Sequence, residues 1–328
     1  MQPESPAPSN NDAPAGLPPV KPPSARFIVQ LFLIPGLIVA GLVFVFVFGG
    51  LSWVGTSTPD SLLTRLDNPN PDVRWRAAEE LAQVLKRPES LELASDPDFA
   101  LEIATRLRKA NAELERAELD VKKQLVPAFK AIEADTSLSK EEKEQRMRQA
   151  GQAAWVKLRP QRDLVGFLTS CLGQFNLPVG APVLCDIARM NNGTEIRGQS
   201  LRKRQAVWAL MSLGDNMNRR YFGKGVGEND PVLSAQQKKG VLGKLAKAAD
   251  GEGERASLAR YAQGVLENKI PAQVDKCLAE CANHEDIFLR ELVAMALNFW
   301  DGPLTEPTLL MLSRDEGKGL RIEITDAD

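Results

Sequence analysis

The sequence predicts an all-α chain in which one membrane-length apolar helix near the N-terminus precedes a long body of stacked helices. Three observations carry this expectation. Residues Phe27 to Phe48 are apolar apart from small residues, Pro35 and Gln30. Beyond them, helix-length segments alternate with turns rich in Asn, Asp, Gly and Pro, and strand-like alternation is nearly absent. One nine-residue apolar frame then recurs along the body.

Residues 1–26 form a tail with eight prolines among Ser, Asn and Ala. Such a composition buries too little apolar surface to offset the entropy of ordering, so the tail is expected to be disordered. Residues 27–48 follow. At ~1.5 Å per helical residue they reach about 33 Å, enough to cross a ~30 Å hydrocarbon core once. The run is longer than a signal-peptide core and no small-x-small cleavage site follows it, so an uncleaved anchor is expected. Lys21 and Arg26 precede the span, nothing basic follows until Arg65, and Trp53 suits the far interface. This charge bias favours a cytoplasmic tail and an extracytoplasmic body. Residues 49–58 read as a linker and residues 59–328 as the body.

In Val73-Arg74-Trp75-Arg76-Ala77-Ala78-Glu79-Glu80-Leu81, the first, fifth, sixth and ninth places are apolar or small and share one helical face. Leu289 to Leu297 repeats the frame, again with arginine second, and each copy follows a polar turn. A looser copy runs from Arg202 through Lys203, Ala206 and Val207 to Leu210. A fourth runs from Leu164 through Leu168 to Leu172, and a degenerate fifth surrounds Arg255 to Ala262. The ninth places lie 38 residues apart between Leu172 and Leu210, and 87 apart between Leu210 and Leu297, which reads as two repeats.

With the joins CLGQFNLPVGAPVL (Cys171 to Leu184) and ALMSLGDN (Ala209 to Asn216), these segments resemble HEAT repeats. The resemblance implies antiparallel helix pairs stacked into an α-solenoid of about five to six pairs. One pair cannot bury its apolar stripe alone, so neighbours must supply a continuous core. Residues 97–160 depart from the frame. Ala100, Leu107, Leu114, Val121 and Ala128 recur every seven residues, with Ile103, Ala110 and Ala117 between them. A second helix starts after a capping box of Ser139 and Glu142. This stretch reads as a long helical-hairpin insertion, or as one irregular repeat of long helices. Residues Met217 to Asp230 read as a Gly-containing loop insertion.

The chemistry is sparse. His284 is the one histidine, which removes most acid-base and multi-histidine metal mechanisms. Cys277, Cys281 and His284 at i, i+4 and i+7 would share a helical face, but no fourth ligand is evident for a structural zinc. HEAT-like deoxyhypusine hydroxylases bind iron through several His-Glu pairs, and this chain has His284-Glu285 alone. Gly223-Lys224-Gly225-Val226-Gly227 lacks the ending of a phosphate loop. No catalytic residue, metal or cofactor is therefore assigned.

A net charge of -2 argues against nucleic-acid binding. Yet Arg197 to Lys247 holds 11 Lys or Arg against 3 Asp or Glu. Arg202, Lys203, Arg204, Arg219, Arg220, Lys224, Lys238 and Lys239 are thus candidates for a basic surface that takes an acidic protein partner or anionic lipid headgroups. The expected function is a membrane-tethered scaffold or adaptor, not an enzyme, holding a protein on its solenoid face. Two alternatives stand beside it: an envelope enzyme or redox protein using the Cys277, Cys281 and His284 face, and a structural subunit assembling through residues 97–160.

Overall fold

The computed structural model describes residues 36–40, 59–190, 199–227, 231–269 and 272–314. Two units separate, residues 1–57 and residues 58–328. In the first, residues 36–40 are helical and exposed. The tail, the linker and the rest of the 27–48 apolar run lie outside the described residues. Among the described residues no helix is long and apolar enough to cross a membrane.

The second unit is all-α among its described residues. Its helices in chain order are α1 (Pro59–Leu66), α2 (Pro71–Leu85), α3 (Leu91–Ala94), α4 (Pro97–Ala134), α5 (Lys140–Lys157), α6 (Arg159–Gly173), α7 (Ala181–Arg189), α8 (Gln199–Asn216), α9 (Ala235–Ala249), α10 (Gly253–Leu266), α11 (Val274–Cys281), α12 (Ile287–Leu297) and α13 (Thr305–Ser313). Short 3-10 turns at Pro88–Ser90 and Pro178–Gly180 and a π-helical turn at Met217–Phe222 join them. Local signals set the helix starts. Asn70 and Asp96 accept from backbone N–H groups at the heads of α2 and α4, each with proline at the first helical position. Ser139 with Glu142, and Ser234 with Gln237, close reciprocal capping boxes on α5 and α9.

The two close copies of the nine-residue frame, the looser one and the fourth are α2, α12, α8 and α6, and in the order α2, α6, α8, α12 these lie side by side in one row, each packed on the next. Their fifth and ninth places, Ala77 and Leu81, Leu168 and Leu172, Ala206 and Leu210, Val293 and Leu297, are all buried. Behind this row runs a second: α4 packs on α6, α7 on α8, and α11 on α12, with α7 touching both α4 and α11. Each large aliphatic side chain buried between the rows contributes about 1.5–3 kcal/mol.

The expectation of two repeats between Leu210 and Leu297 is corrected. Helices α8 and α12 are direct neighbours. The surplus residues form the π-helical turn and the α9–α10 hairpin, which packs on α4 and the Pro178–Gly180 turn. Met217 to Phe222 is helical because Met217 and Tyr221, four residues apart, are both buried. Gly223 then ends the turn with φ 72°, a left-handed conformation that glycine adopts without a Cβ clash.

The stretch 97–160 divides physically. From Pro97 to Glu118, α4 belongs to the core, with Ala100, Ile103, Leu107 and Leu114 buried. Beyond Glu118 the seam surfaces: Val121 is half-buried and Ala128 exposed, and α5, which packs back along α4, buries no residue. The seven-residue spacing persists while the partner for its seam changes from the body to the single helix α5.

The approach of α8 to the end of α12 depends on a small residue. A Cβ on Gly214 would meet Trp300 Nε1 at 2.7 Å and Phe299 Cβ at 2.8 Å. Trp300 cannot easily retreat, because it is buried and its Nε1 donates to Leu210 O at 2.8 Å. Gly240, in α9, has nothing within 4 Å of its would-be Cβ. Gly214→Ala should therefore destabilise the fold by about 1–3 kcal/mol, whereas Gly240→Ala should stabilise it by about 0.5–1 kcal/mol. Thermal denaturation of the two variants would show shifts of opposite sign.

Candidate partner-binding groove

The frame that buries one face of α8 and α12 also fixes what their other faces present. Leu201 precedes the frame in α8 and Trp208 is its seventh place; Phe288 and Met295 hold the same two places in α12. All four are exposed, at 57%, 53%, 54% and 48% respectively. In α6 the corresponding residues are Asp163 and Ser170, and in α2 they are Asp72 and Glu79. The apolar stripe is thus confined to two neighbouring helices.

Three cavities follow this side of the row. One of about 950 Å³ lies between α5 and the α6–α8 pair, walled by Trp155, Val156, Phe167 and Leu201. It shares Ser170, Leu201 and Gln205 with a cavity of about 270 Å³ that Trp208 and Phe288 line. That one shares Gln174 and Ser212 with a third of about 440 Å³ between Met211, Met295 and Phe299. Shared linings make them one groove along α6, α8 and α12. On the neighbouring surface Trp75 of α2 stacks on Phe167, ring centroids 6.1 Å apart.

A buried ionic cluster sets the wall where α4 passes under the groove. Glu118, 2% exposed, accepts from Arg202 Nη2 at 2.5 Å and from Arg162 Nε and Nη2 at 3.3 Å. Arg202 Nη1 also donates to Asn111 Oδ1 at 3.2 Å. Burial pulls the Arg202 pKa down, and the Glu118 and Glu115 carboxylates oppose that pull. The Arg162 guanidinium lies 4.4 Å from the Trp155 ring centroid, a cation-π contact that ties α5 to α6. One carboxylate therefore joins α4, α6 and α8, and through Arg162 steadies the overhanging α5.

A second cluster holds α8 against the start of α12. Asp286 caps α12, accepting from the N–H groups of Phe288 and Leu289, and also takes hydrogen bonds from Ser200 and from Arg204 Nε, the latter at 2.6 Å. Burial alone would raise its pKa. The hydrogen bonds from Arg204, Ser200 and the Leu289 amide outweigh burial and hold the carboxyl at about 2. Next to it, Lys203 Nζ lies 2.9 Å from His284 Nε2, and Arg290 donates to the His284 carbonyl at 2.7 Å.

The eight basic residues singled out in the sequence do not form one surface. Arg202 and Lys203 are buried and Arg204 is clamped to Asp286. Arg219 lies 3.9 Å from Asp215, and Arg220 donates to the Pro231 carbonyl. Lys224 and Lys238 sit over Phe222 and Tyr221, and Lys239 is exposed on α9. Arg202 holds the first place of the frame and Lys203 the place beside it; both are buried and meet their partners in the interior. The residues that the sequence reading missed are Leu201, Trp208, Phe288 and Met295. Their signal was an apolar residue on the face opposite the frame, repeated at the same two places.

Cys277, Cys281 and His284 do not converge. The two thiols turn to α7, where Cys277 Sγ is 3.7 Å from Cys185 O and Cys281 Sγ 3.5 Å from Ala188 O, while His284 faces α8. The Cys185 thiol and burial push Cys277 up, and the Cys277 thiol and burial push Cys281 up. Both remain neutral core thiols at ordinary pH. Among the described residues no three His, Cys, Asp or Glu side chains are placed to hold a metal ion.

Comparison with protein-family models, curated proteins and solved structures finds no match for this chain.

Two predictions test the clusters. Glu118→Gln leaves Arg202 buried without its counter-charge and should cost about 3–5 kcal/mol in denaturant unfolding. Asp286 ionises more readily folded, at about 2, than unfolded, at about 3.9. Its contribution is therefore complete above pH ~4 and lost as pH falls through about 2. Solvent beside the group screens the shift, so Asp286→Asn should cost about 1 kcal/mol at neutral pH. That difference from the parent chain should shrink as the pH falls from about 4 and vanish below about 2.

Proposed function

We propose that this chain is a membrane-tethered helical scaffold with a HEAT-like solenoid body, which holds a partner protein in the groove along α6, α8 and α12. The observation that carries the proposal is the exposed stripe of Leu201, Trp208, Phe288 and Met295 at equivalent places of adjacent helices, set in a continuous groove. Contiguous exposed apolar surface is costly in water and marks interaction sites. Aromatic anchors in pockets with a polar rim are the usual source of binding energy in protein interfaces.

The solenoid reading is supported by the frame falling on four successive members of one row, backed by a second row. The tether is supported by the length and apolarity of residues 27–48, and the charge bias around them supports an extracytoplasmic body. A tether raises the concentration of a held partner beside the bilayer, which gives a binding module a use without chemistry of its own.

Photo-crosslinkers placed at 208, 288 and 276 in the full chain, in its native membrane, test the reading. Positions 208 and 288 should give the same discrete adduct, and 276, exposed on α11 of the second row, should give none. Removing residues 1–58 should move the chain from the membrane to the soluble fraction and abolish the adduct. Equal labelling at 276, or no adduct at 208 and 288, would sink the scaffold reading, and a truncated chain still in the membrane fraction would sink the tether.

A further inference from the structure

The groove has a chemical direction. At its α5 end the charged lining is Arg148, Arg159, Arg162, Asp163 and Arg202. The middle adds Lys86 and Arg204, and the far end, around Met211 and Met295, carries Asp215 as its one charged residue. Five basic residues that are not buried thus face two acidic ones, with the basic residues confined to the α5 end and the middle. Arg148, Arg159 and Arg204 pair with Glu144, Asp163 and Asp286, and Glu118 serves both Arg162 and the buried Arg202. A guanidinium carries five N–H donors, so the exposed Arg148 and Arg159 and the partly exposed Arg162 retain donors that their carboxylates do not take.

The anchors have a spacing as well. Leu201 and Trp208, like Phe288 and Met295, lie seven residues apart on one helical face, about 10 Å along the axis. A second helix repeats its own side chains every two turns over the same distance, so its apolar stripe can meet both pairs in register. An extended segment alternates its side chains between two faces at ~3.3 Å per residue and would set half of them against solvent.

We propose that the occupant of this groove is an amphipathic α-helix of a partner protein, with an apolar stripe, an acidic end seated beside Arg148, Arg159 and Arg162, and an uncharged end beside Met211 and Met295. This inference rests on the scaffold reading and adds the partner's chemistry and orientation. Charge complementarity chooses the acidic end and sets the register, and the aromatic anchors supply most of the affinity.

The test uses the full chain in detergent micelles, with empty micelles as the blank. The probe is a fluorescent synthetic 16-residue helix with a leucine stripe, glutamates in one half and glutamines in the other. Anisotropy should give a Kd on the order of micromolar. Replacing the glutamates by lysines, or placing proline at the centre, should each weaken binding at least about tenfold. Trp208→Ala and Phe288→Ala, both at exposed positions, should weaken it by a similar factor with helix content by circular dichroism unchanged. A photo-reactive group on the acidic end should label α5 and spare α13.

Equal binding of acidic and basic peptides overturns the charge assignment, and undiminished binding of the proline peptide overturns the helix. Binding of anionic lipid vesicles, with no binding of the acidic peptide, assigns the groove to a membrane surface and overturns the proposal. If positions 208 and 288 cross-link a protein in the native membrane and the acidic helix still fails to bind, the scaffold reading stands and this inference falls.

Discussion

Glu118 is the point on which the rest of the body depends. It sits where α4 stops being core and starts being an arm, and it is buried with two guanidiniums from two other helices. A buried carboxylate is expensive in isolation, and its cost is offset only when counter-charge and hydrogen bonds are complete. That requirement fixes α6 and α8 relative to α4 more narrowly than apolar packing does, because apolar contacts tolerate sliding and directional, charge-assisted hydrogen bonds do not. Arg162 extends the constraint to Trp155 on α5. The largest cavity of the groove therefore has both walls set by one ionic cluster.

Much of the row was legible in the sequence. The nine-residue frame marked α2, α6, α8 and α12, because a helix buried on one face writes its burial at places one, five, six and nine. The Ser139–Glu142 capping box was legible for the same reason: it is a contact between residues three apart. The role of the basic stretch was not. Arg202 meets a carboxylate 84 residues earlier in the chain, and Lys203 meets His284, 81 residues later. Charge counted along a sequence says nothing of such partners, so two interior side chains looked like surface. The reach of α4 was hidden likewise, since a heptad seam keeps the same spacing whether it faces a core, a partner helix or water.

The groove was half-written in the sequence. Leu201 and Trp208 recur as Phe288 and Met295 at the same places of the frame, and their helical phase alone puts them opposite the buried face. What phase cannot say is whether α8 and α12 touch. Counting residues between Leu210 and Leu297 suggested that another repeat stood between them, which would have split the stripe into two isolated pairs.

Continuity of the stripe follows from where the surplus chain goes. After α8 the π-helical turn buries Met217 and Tyr221, and the α9–α10 hairpin then settles on α4 and the Pro178–Gly180 turn, elements behind the row. The chain returns through α11, which packs on α7, and α12 closes directly onto α8. The Asp286 cluster with Ser200 and Arg204 secures that closure at the head of α12. An excursion of this kind costs little in loop-closure entropy, which grows only with the logarithm of length. It leaves Trp208 and Phe288 lining one cavity, so that the two pairs of exposed apolar residues form one stripe. The same feature that breaks the regularity of the frame is the one that makes a continuous exposed stripe out of two of its copies.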